Sequence, residues 1–419
     1  MPKAYHDSNE VPSFRKLLAV ALLYLAEGLP FGFVYVALPV FLRTQGVDLV
    51  KIGLLSLTGF CWTAKPLWAP LIDRYGRKYH WMLLALVGIA TCIFVLSLFP
   101  SRGVFLMLLV FVLCFFSATF DIAADGYTIE ILSPHEVGPA NGVRVAAYRV
   151  ALILSGGGLV ALSALTGILP AFFSLVLLLV IISAVILFWP TLHFPSPKGS
   201  LEKRDFLSLY KAPLLDLWRR PYSWALIPFV LLFKVGDAMM GPMVYPFWVD
   251  RGFSRAEIGL VSGTLGTIFS ILGSLVGGWL VKVFGIAKAL WSLGALQAFS
   301  NLGYAYAALP GKGRVEVYAA SVVESFTGGL GTAAFLAFLM RLCRKEMSAS
   351  QYALLATLFS FSRTISGALS GFGAAKWGYA TFFFYTFLAA LPAFLLLPWV
   401  LRALPESATS HLAAGQHSR

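Results

Sequence analysis

Phe120-Asp121-Ile122-Ala123-Ala124-Asp125-Gly126-Tyr127 places two carboxylates inside an apolar run that extends from about Val104 to Ile131. Such a run predicts a membrane-spanning helix, because about 20 apolar residues cross the hydrocarbon core. Residues four apart on a helix differ by about 40° of rotation, so Asp121 and Asp125 share one face, one turn apart. Neither can face lipid: a charge near the bilayer centre costs about 2.5 to 3.5 kcal/mol even on the lenient insertion scale, and two like charges at this spacing repel. An opposing cation or a bound proton must offset them, and both make this face an interior pathway rather than a packing surface.

Composition sets the frame around that helix. Of 419 residues 59% are hydrophobic and only 12% charged, with a mean hydropathy of +0.81, which excludes a soluble enzyme. Cys61, Cys92, Cys114 and Cys343 show neither CxxC nor Cys/His spacing, so no disulfide framework, metal site or cofactor is expected. The net charge of +13 is spread over the loops between apolar stretches, as topology demands, and does not point to nucleic acid.

Apolar stretches fall at about 17–42, 52–72, 81–100, 104–132, 139–165, 168–190, 221–249, 257–281, 286–309, 315–341, 350–375 and 378–402, predicting twelve helices. The block 139–190 is far longer than one crossing and divides at Thr166-Gly167-Ile168-Leu169-Pro170. Lys and Arg crowd the loops on the side of both termini, with clusters at Arg74, Arg77 and Lys78 and throughout Lys198 to Arg220, so both termini are expected to be cytoplasmic. Residues 404–419 read as a disordered cytoplasmic tail.

An internal repeat spans the charged segment 191–220. Gly46 to Leu55, GVDLVKIGLL, matches Gly252 to Val261, GFSRAEIGLV, and the register continues with Pro39 over Pro246 and Glu27 over Lys234. Further on, Arg149 in YRVALILSGG falls over Arg363 in SRTISGALSG. Two parallel six-helix halves, 1–190 and 221–403, joined by a cytoplasmic linker at 191–220, are the layout that secondary transporters place around a midplane site.

Ala69-Pro70-Leu71-Ile72-Asp73-Arg74-Tyr75-Gly76-Arg77-Lys78, between the second and third helices, resembles the signature loop of the major facilitator superfamily, with Ala69 where Gly is usual. Asp73 can cap a helix end and Arg77 can pair with Glu130 or Glu136, so Asp73, Arg74, Arg77 and Glu130 are candidates for a cytoplasmic gate. Three segments carry a narrower resemblance: LYLAEGLP at 23–30, KPLWAPLID at 65–73 and DIAADGY at 121–127. They are similar to the branch containing the AmpG muropeptide permeases, the acetyl-coenzyme A transporters of the endoplasmic reticulum and short bacterial siderophore permeases. Phe120 stands where the branch often has Gln, and the extra helices of long AmpG proteins are absent. The resemblance implies the major facilitator fold in the inner membrane of a bacterium, with a muropeptide or anhydro-sugar peptide as substrate and a ferric siderophore or acetyl-coenzyme A as alternatives.

Depth along the spans selects the charges that matter. Glu27, Lys65, Asp121, Asp125, Arg149, Lys234, Asp237, Glu324 and Arg363 fall within roughly a turn and a half of their span centres. Arg144 is a further cation inside a span. In the first half Glu27, Asp121 and Asp125 face Lys65 and Arg149, which leaves one acid without a cation and suits a group that loads and releases a proton. Lys234 and Asp237, three apart, form a helical ion pair. Lys65, Arg149, Lys234 and Arg363 suit an anionic or zwitterionic solute, with Asp237, Glu324, Tyr35, Tyr148 and Tyr245 beside them as binding candidates. The expectation is a proton symporter working by alternating access, a monomer in the bilayer with small-molecule and proton partners. A membrane-embedded transferase is the competing class, but all six His lie in tails or loops and no nucleophile constellation appears.

Overall fold

The computed structural model describes residues 14–74, 77–98, 103–132, 137–189, 215–343 and 348–402, and every regular element among them is helical. In chain order the spans are α1 (Phe14–Thr44), α2 (49–74), α3 (Lys78–Leu98), α4 (Val104–Ile131), α5 (137–166) and α6 (Ile168–Phe188). The second set is α7 (Ser223–Asp250), α8 (Arg255–Phe284), α9 (Ile286–Ala307), α10 (Arg314–Leu342), α11 (348–377) and α12 (379–402). Among the described residues nine helical stretches are long and apolar enough to cross a membrane. One of these holds α11 and α12 together, and α2 and α9 complete the twelve.

Glycines mark the ends of spans in both halves alike. Gly46 and Gly252 follow α1 and α7, Gly103 and Gly311 precede α4 and α10, and Gly167 and Gly378 separate α5 from α6 and α11 from α12. All six have φ between 72° and 93°, a region a side chain strains to occupy. The break expected at Thr166-Gly167 is therefore where α5 stops, and the repeat read from sequence extends to its turns.

Several spans are not plain α-helices. Prolines 66 and 70 interrupt the hydrogen-bond ladder of α2, which carries 3-10 turns at Leu55–Gly59 and Lys65–Leu67. The spans α1, α5 and α8 each contain a π segment, at Phe33–Ala37, Ile153–Gly158 and Ile258–Leu265. In α7 the helix is broken at Phe233-Lys234.

Contacts divide the chain into two compact units, one holding residues 1–38 and 64–199, the other 39–63 and 200–419. The first is built on α1 against α5, where apolar side chains gain little from leaving lipid and close backbone approach supplies the packing. A Cβ on Gly28 would lie 2.7 Å from the Ala151 Cβ, and one on Gly32 would overlap the Ser155 Oγ. Phe33 meets Phe172 of α6 edge-on at 5.2 Å.

The second unit has an aromatic core in which Phe233 of α7 stacks on Phe335 of α10 at 5.2 Å, with Phe229 edge-on to Phe338. Its α8 and α10 approach through Gly273 and Gly329, each against backbone of the other helix. The first part of α2 belongs to this unit because it lies on α11 through small residues: a Cβ on Gly53 would come within 2.7 Å of Gly371 N, and one on Gly367 within 2.6 Å of Ser56 Oγ.

Candidate functional site

In the first unit the charged residues of α1, α2, α4 and α5 converge. The break at Pro66 leaves Lys65 at the head of a 3-10 turn, and its Nζ reaches Asp121 Oδ2 at 2.7 Å. The Asp121 side chain is 5% exposed and that of Lys65 25%. One turn along α4, Asp125 Oδ1 accepts from Tyr24 Oη at 2.5 Å and lies 3.0 Å from Arg144 Nη2. The Arg144 guanidinium is 4.3 Å from the centre of the Tyr24 ring, a cation–π contact. Glu27, one turn after Tyr24 on α1, has Asp121, Asp125, Lys65 and Arg144 as its charged neighbours. Its Oε2 is buried and has no hydrogen-bond partner among the described residues.

Three carboxylates thus stand against two cations, as expected, but the second cation is Arg144. Arg149 makes no ion pair among the described residues. The two arginines lie five apart, about 140° around α5, so they leave the helix on different faces. Depth along the span favoured Arg149, whereas a long side chain lets Arg144 reach back to the acids. Tyr24, which in the sequence stands only within the LYLAEGLP segment, supplies the hydroxyl on Asp125. Tyr35 and Tyr148 come together around Phe31, at ring separations of 4.5 and 6.2 Å, through the packing of α1 on α5.

The second unit holds its own charges. Lys234 again sits at a helix break, and its Nζ pairs with Asp237 Oδ2 at 2.8 Å, with Gly328 O of α10 at 3.5 Å. Glu324, one turn before Gly328, has Asp237 and Lys234 as charged neighbours but no ion pair among the described residues. Tyr245 faces Glu324 and shares a hydrogen bond with Ser262. Arg363 is exposed on α11. Gln297 and Asn301 of α9, 4% and 0% exposed, went unremarked in the sequence, and Gln297 Oε1 and both polar atoms of Asn301 have no partner among the described residues.

At the loop between α2 and α3, Arg77 is exposed and Glu130 is paired by Lys78. Lys78 is buried alongside Gly126, where it reaches Glu130 directly. The side chains of Asp73 and Arg74, and all of Glu136, lie outside the described residues.

A bundle of membrane-spanning helices with paired charges at mid-span defines a polytopic transport protein. Residues 20–362 match the Major Facilitator Superfamily, and the chain belongs to that family. It is 34% identical over 390 residues to the anhydromuropeptide permease of Escherichia coli K12, covering 90% of this chain and 78% of that protein. It is also 26% identical over 404 residues to a putative transporter AmpG 4 of Rickettsia conorii, covering 92% and 96%. Among solved structures, a bacterial homolog of the human lysosomal transporter Spinster, inward-facing and unoccupied, aligns with a TM-score of 0.77 at 13% identity, over 94% of this chain and 99% of that one. The nucleoside transporter NupG aligns with a TM-score of 0.73 at 14% identity, over 93% and 98%. At these identities the structures speak for the fold. The relatives and the fold are those of transporters, not of enzymes.

Proposed function

We propose that this transporter imports an anionic or zwitterionic solute of the anhydromuropeptide class together with protons, as a monomer in the inner membrane of a bacterium with both termini cytoplasmic. The observation that carries the coupling is the excess of one carboxylate within the first unit: Lys65 is committed to Asp121 and Arg144 to Asp125, leaving Glu27. A cluster with one carboxylate more than its cations has to hold a proton, so Glu27, which has no cation of its own, creates the surplus that lets the three carboxylates load and release one. The substrate class is supported by the 34% identity to a permease of that name, and the orientation by the basic loops on the termini side. Two six-helix halves joined through 191–220 would expose the site to each side in turn, with Asp73, Arg74 and Arg77 on the cytoplasmic gate. Arg149, Lys234, Asp237, Glu324, Arg363, Tyr35, Tyr148 and Tyr245 remain candidates for contacts to the solute.

The test is uptake of labelled anhydromuropeptide into proteoliposomes with an inward proton gradient. The wild type should accumulate it, whereas Glu27→Gln should lose accumulation and retain exchange of labelled for unlabelled solute. Undiminished accumulation by the variant overturns the role of Glu27. Absence of exchange by the wild type overturns the substrate class.

A further inference from the structure

The Asp121 and Asp125 pairs differ in one respect. The Lys65–Asp121 pair is the more buried, at 25% and 5% side-chain exposure, whereas Asp125 and Arg144 are 38% and 41% exposed. Both residues lie inside their spans but about two turns or more from the centres of α5 and α4, and exposed charges there do not face lipid, so this pair faces water. Arg144 is held on two sides, by Asp125 at Nη2 and by the Tyr24 ring under its Cζ. Its Nε and Nη1 donate to no group among the described residues. A guanidinium carries five N–H donors in a fork shaped for a carboxylate, and most of this fork is unused.

Resting on the substrate reading above, we propose that Arg144 is the receptor for a carboxylate of the transported solute, and that this carboxylate displaces Asp125, which then takes up a proton. The charge count sets the exchange. Facing Asp125 are Tyr24 and Glu27 of α1, Lys65 of α2, Asp121 on its own helix and Arg144 of α5, with Lys78 of α3 already committed to Glu130. Two cations serve three carboxylates before the solute arrives and four afterwards. Arg144 forms a two-pronged pair with the incoming carboxylate, the ion pair to Asp125 opens, and the Asp125 carboxyl gains one proton from water and remains hydrogen-bonded to the Tyr24 hydroxyl. Release of the solute reverses each step. Binding and protonation are thereby linked through one side chain, and a solute without the carboxylate does not draw the proton.

Titration calorimetry of the full-length protein with an anhydromuropeptide, repeated in buffers of different ionisation enthalpy, counts protons taken up per ligand. The wild type should take up about one proton per ligand at Asp125. The same ligand with its carboxyl groups amidated should bind at least tenfold more weakly without that uptake, and this arm needs no variant. Arg144→Gln should weaken the native ligand by roughly ten- to a hundredfold, and Arg144→Lys nearly as much, because an ammonium lacks the fork. Asp125→Asn should bind at least as tightly as the wild type with the proton uptake lost, since it removes the competitor for Arg144. Binding without proton uptake, equal binding of the amidated ligand, or unchanged affinity in Arg144→Gln each overturns the exchange while leaving the transporter reading in place. No binding by the wild type overturns the substrate class itself, and the inference with it.

Discussion

Arg43 and Asp250 are 207 residues apart, the same offset that places Pro39 over Pro246, and their side chains meet in two hydrogen bonds of 2.6 Å, from Nε to Oδ1 and from Nη2 to Oδ2. Equivalent positions of the repeat thus carry opposite charges and pair with each other at the ends of α1 and α7. Tyr379 at the start of α12 donates to Asp250 Oδ2 at 2.6 Å, and Arg43 Nη1 donates to Val47 O at 3.0 Å. All four residues belong to the second unit.

The first prediction concerns that pair. With side chains 23% and 27% exposed, a two-pronged ion pair should contribute about 1–2 kcal/mol, above the usual surface pair but below a buried one. Arg43→Gln and Asp250→Asn should each lower stability by that amount, and the double variant should cost less than the sum. Thiol labelling at a cysteine placed at Val47 should rise severalfold in either single variant. Strict additivity, with labelling unchanged, would show that the two side chains do not work as one contact.

Asp121 and Asp125 should separate in stability. Removing the charge of Asp121, itself 5% exposed, leaves the 25% exposed Lys65 without its partner, a loss of about 2–3 kcal/mol, less than for a fully buried pair, whereas Asp125→Asn leaves the more exposed Arg144 and should cost under about 1 kcal/mol. Adding Lys65→Met to Asp121→Asn should recover most of the loss. Thermal melts in detergent decide it, and similar melting of the two single variants would count against the assignment of a more buried and a more open pair.

Glycine-to-alanine substitutions should divide by contact. At Gly371 an added Cβ overlaps Leu49 O, and at Gly32 it overlaps Ser155 Oγ, so both should be destabilising by at least about 1–3 kcal/mol. At Gly142 and Gly241 nothing lies within 4 Å, and Ala there should stabilise by up to about 1 kcal/mol through helix propensity. Comparable melting shifts across all four would refute the packing described for α1 on α5 and α2 on α11.

A fourth prediction falls on the segment leading into α7. Asp216 Oδ2 accepts from Arg220 Nη2 at 2.7 Å and from Gln351 Nε2 at 2.8 Å, while Arg220 Nη1 donates to Leu342 O, the last residue of α10, at 2.5 Å. Asp216→Ala removes the acceptor that these two donors share and should cost about 2–4 kcal/mol. Arg220→Ala should cost a similar amount, and the pair together far less than the sum. A protease that cuts only when this segment loosens gives the readout, and unchanged cleavage rates in both variants would exclude the tie.

The spans, the repeat and the clustering of charge at mid-span were legible in the sequence because length, hydropathy and offset fix them. The surplus of one acid was legible for the same reason, being a matter of counting. Which cation meets which acid was not, since Arg144 reaches Asp125 by side-chain length and by the face of α5 it occupies, and depth along a helix records neither. The π segments of α1, α5 and α8 also left no trace in hydropathy, which reads the same through a widened turn. The sequence drew attention to the termini-side loop, yet in the described residues a two-pronged ion pair at a span end joins Arg43 to Asp250, neither of which the sequence singled out.

The two units exchange chain twice in quick succession, after Leu38 and after Thr63. The first crossing comes directly after the π segment Phe33–Ala37, and the second meets the turn at Ala64 that opens the 3-10 segment Lys65–Leu67. A regular α-helix resists bending, and its compliance is concentrated where the i to i−4 ladder is interrupted. In mechanical terms α1 and α2 are rods of uneven stiffness, each softened at a short segment, a few residues beyond Glu27 in α1 and beside Lys65 in α2. Two of the charged residues of the site therefore sit next to the most compliant turns of their own helices, where the local backbone yields most readily to a change in their pairing.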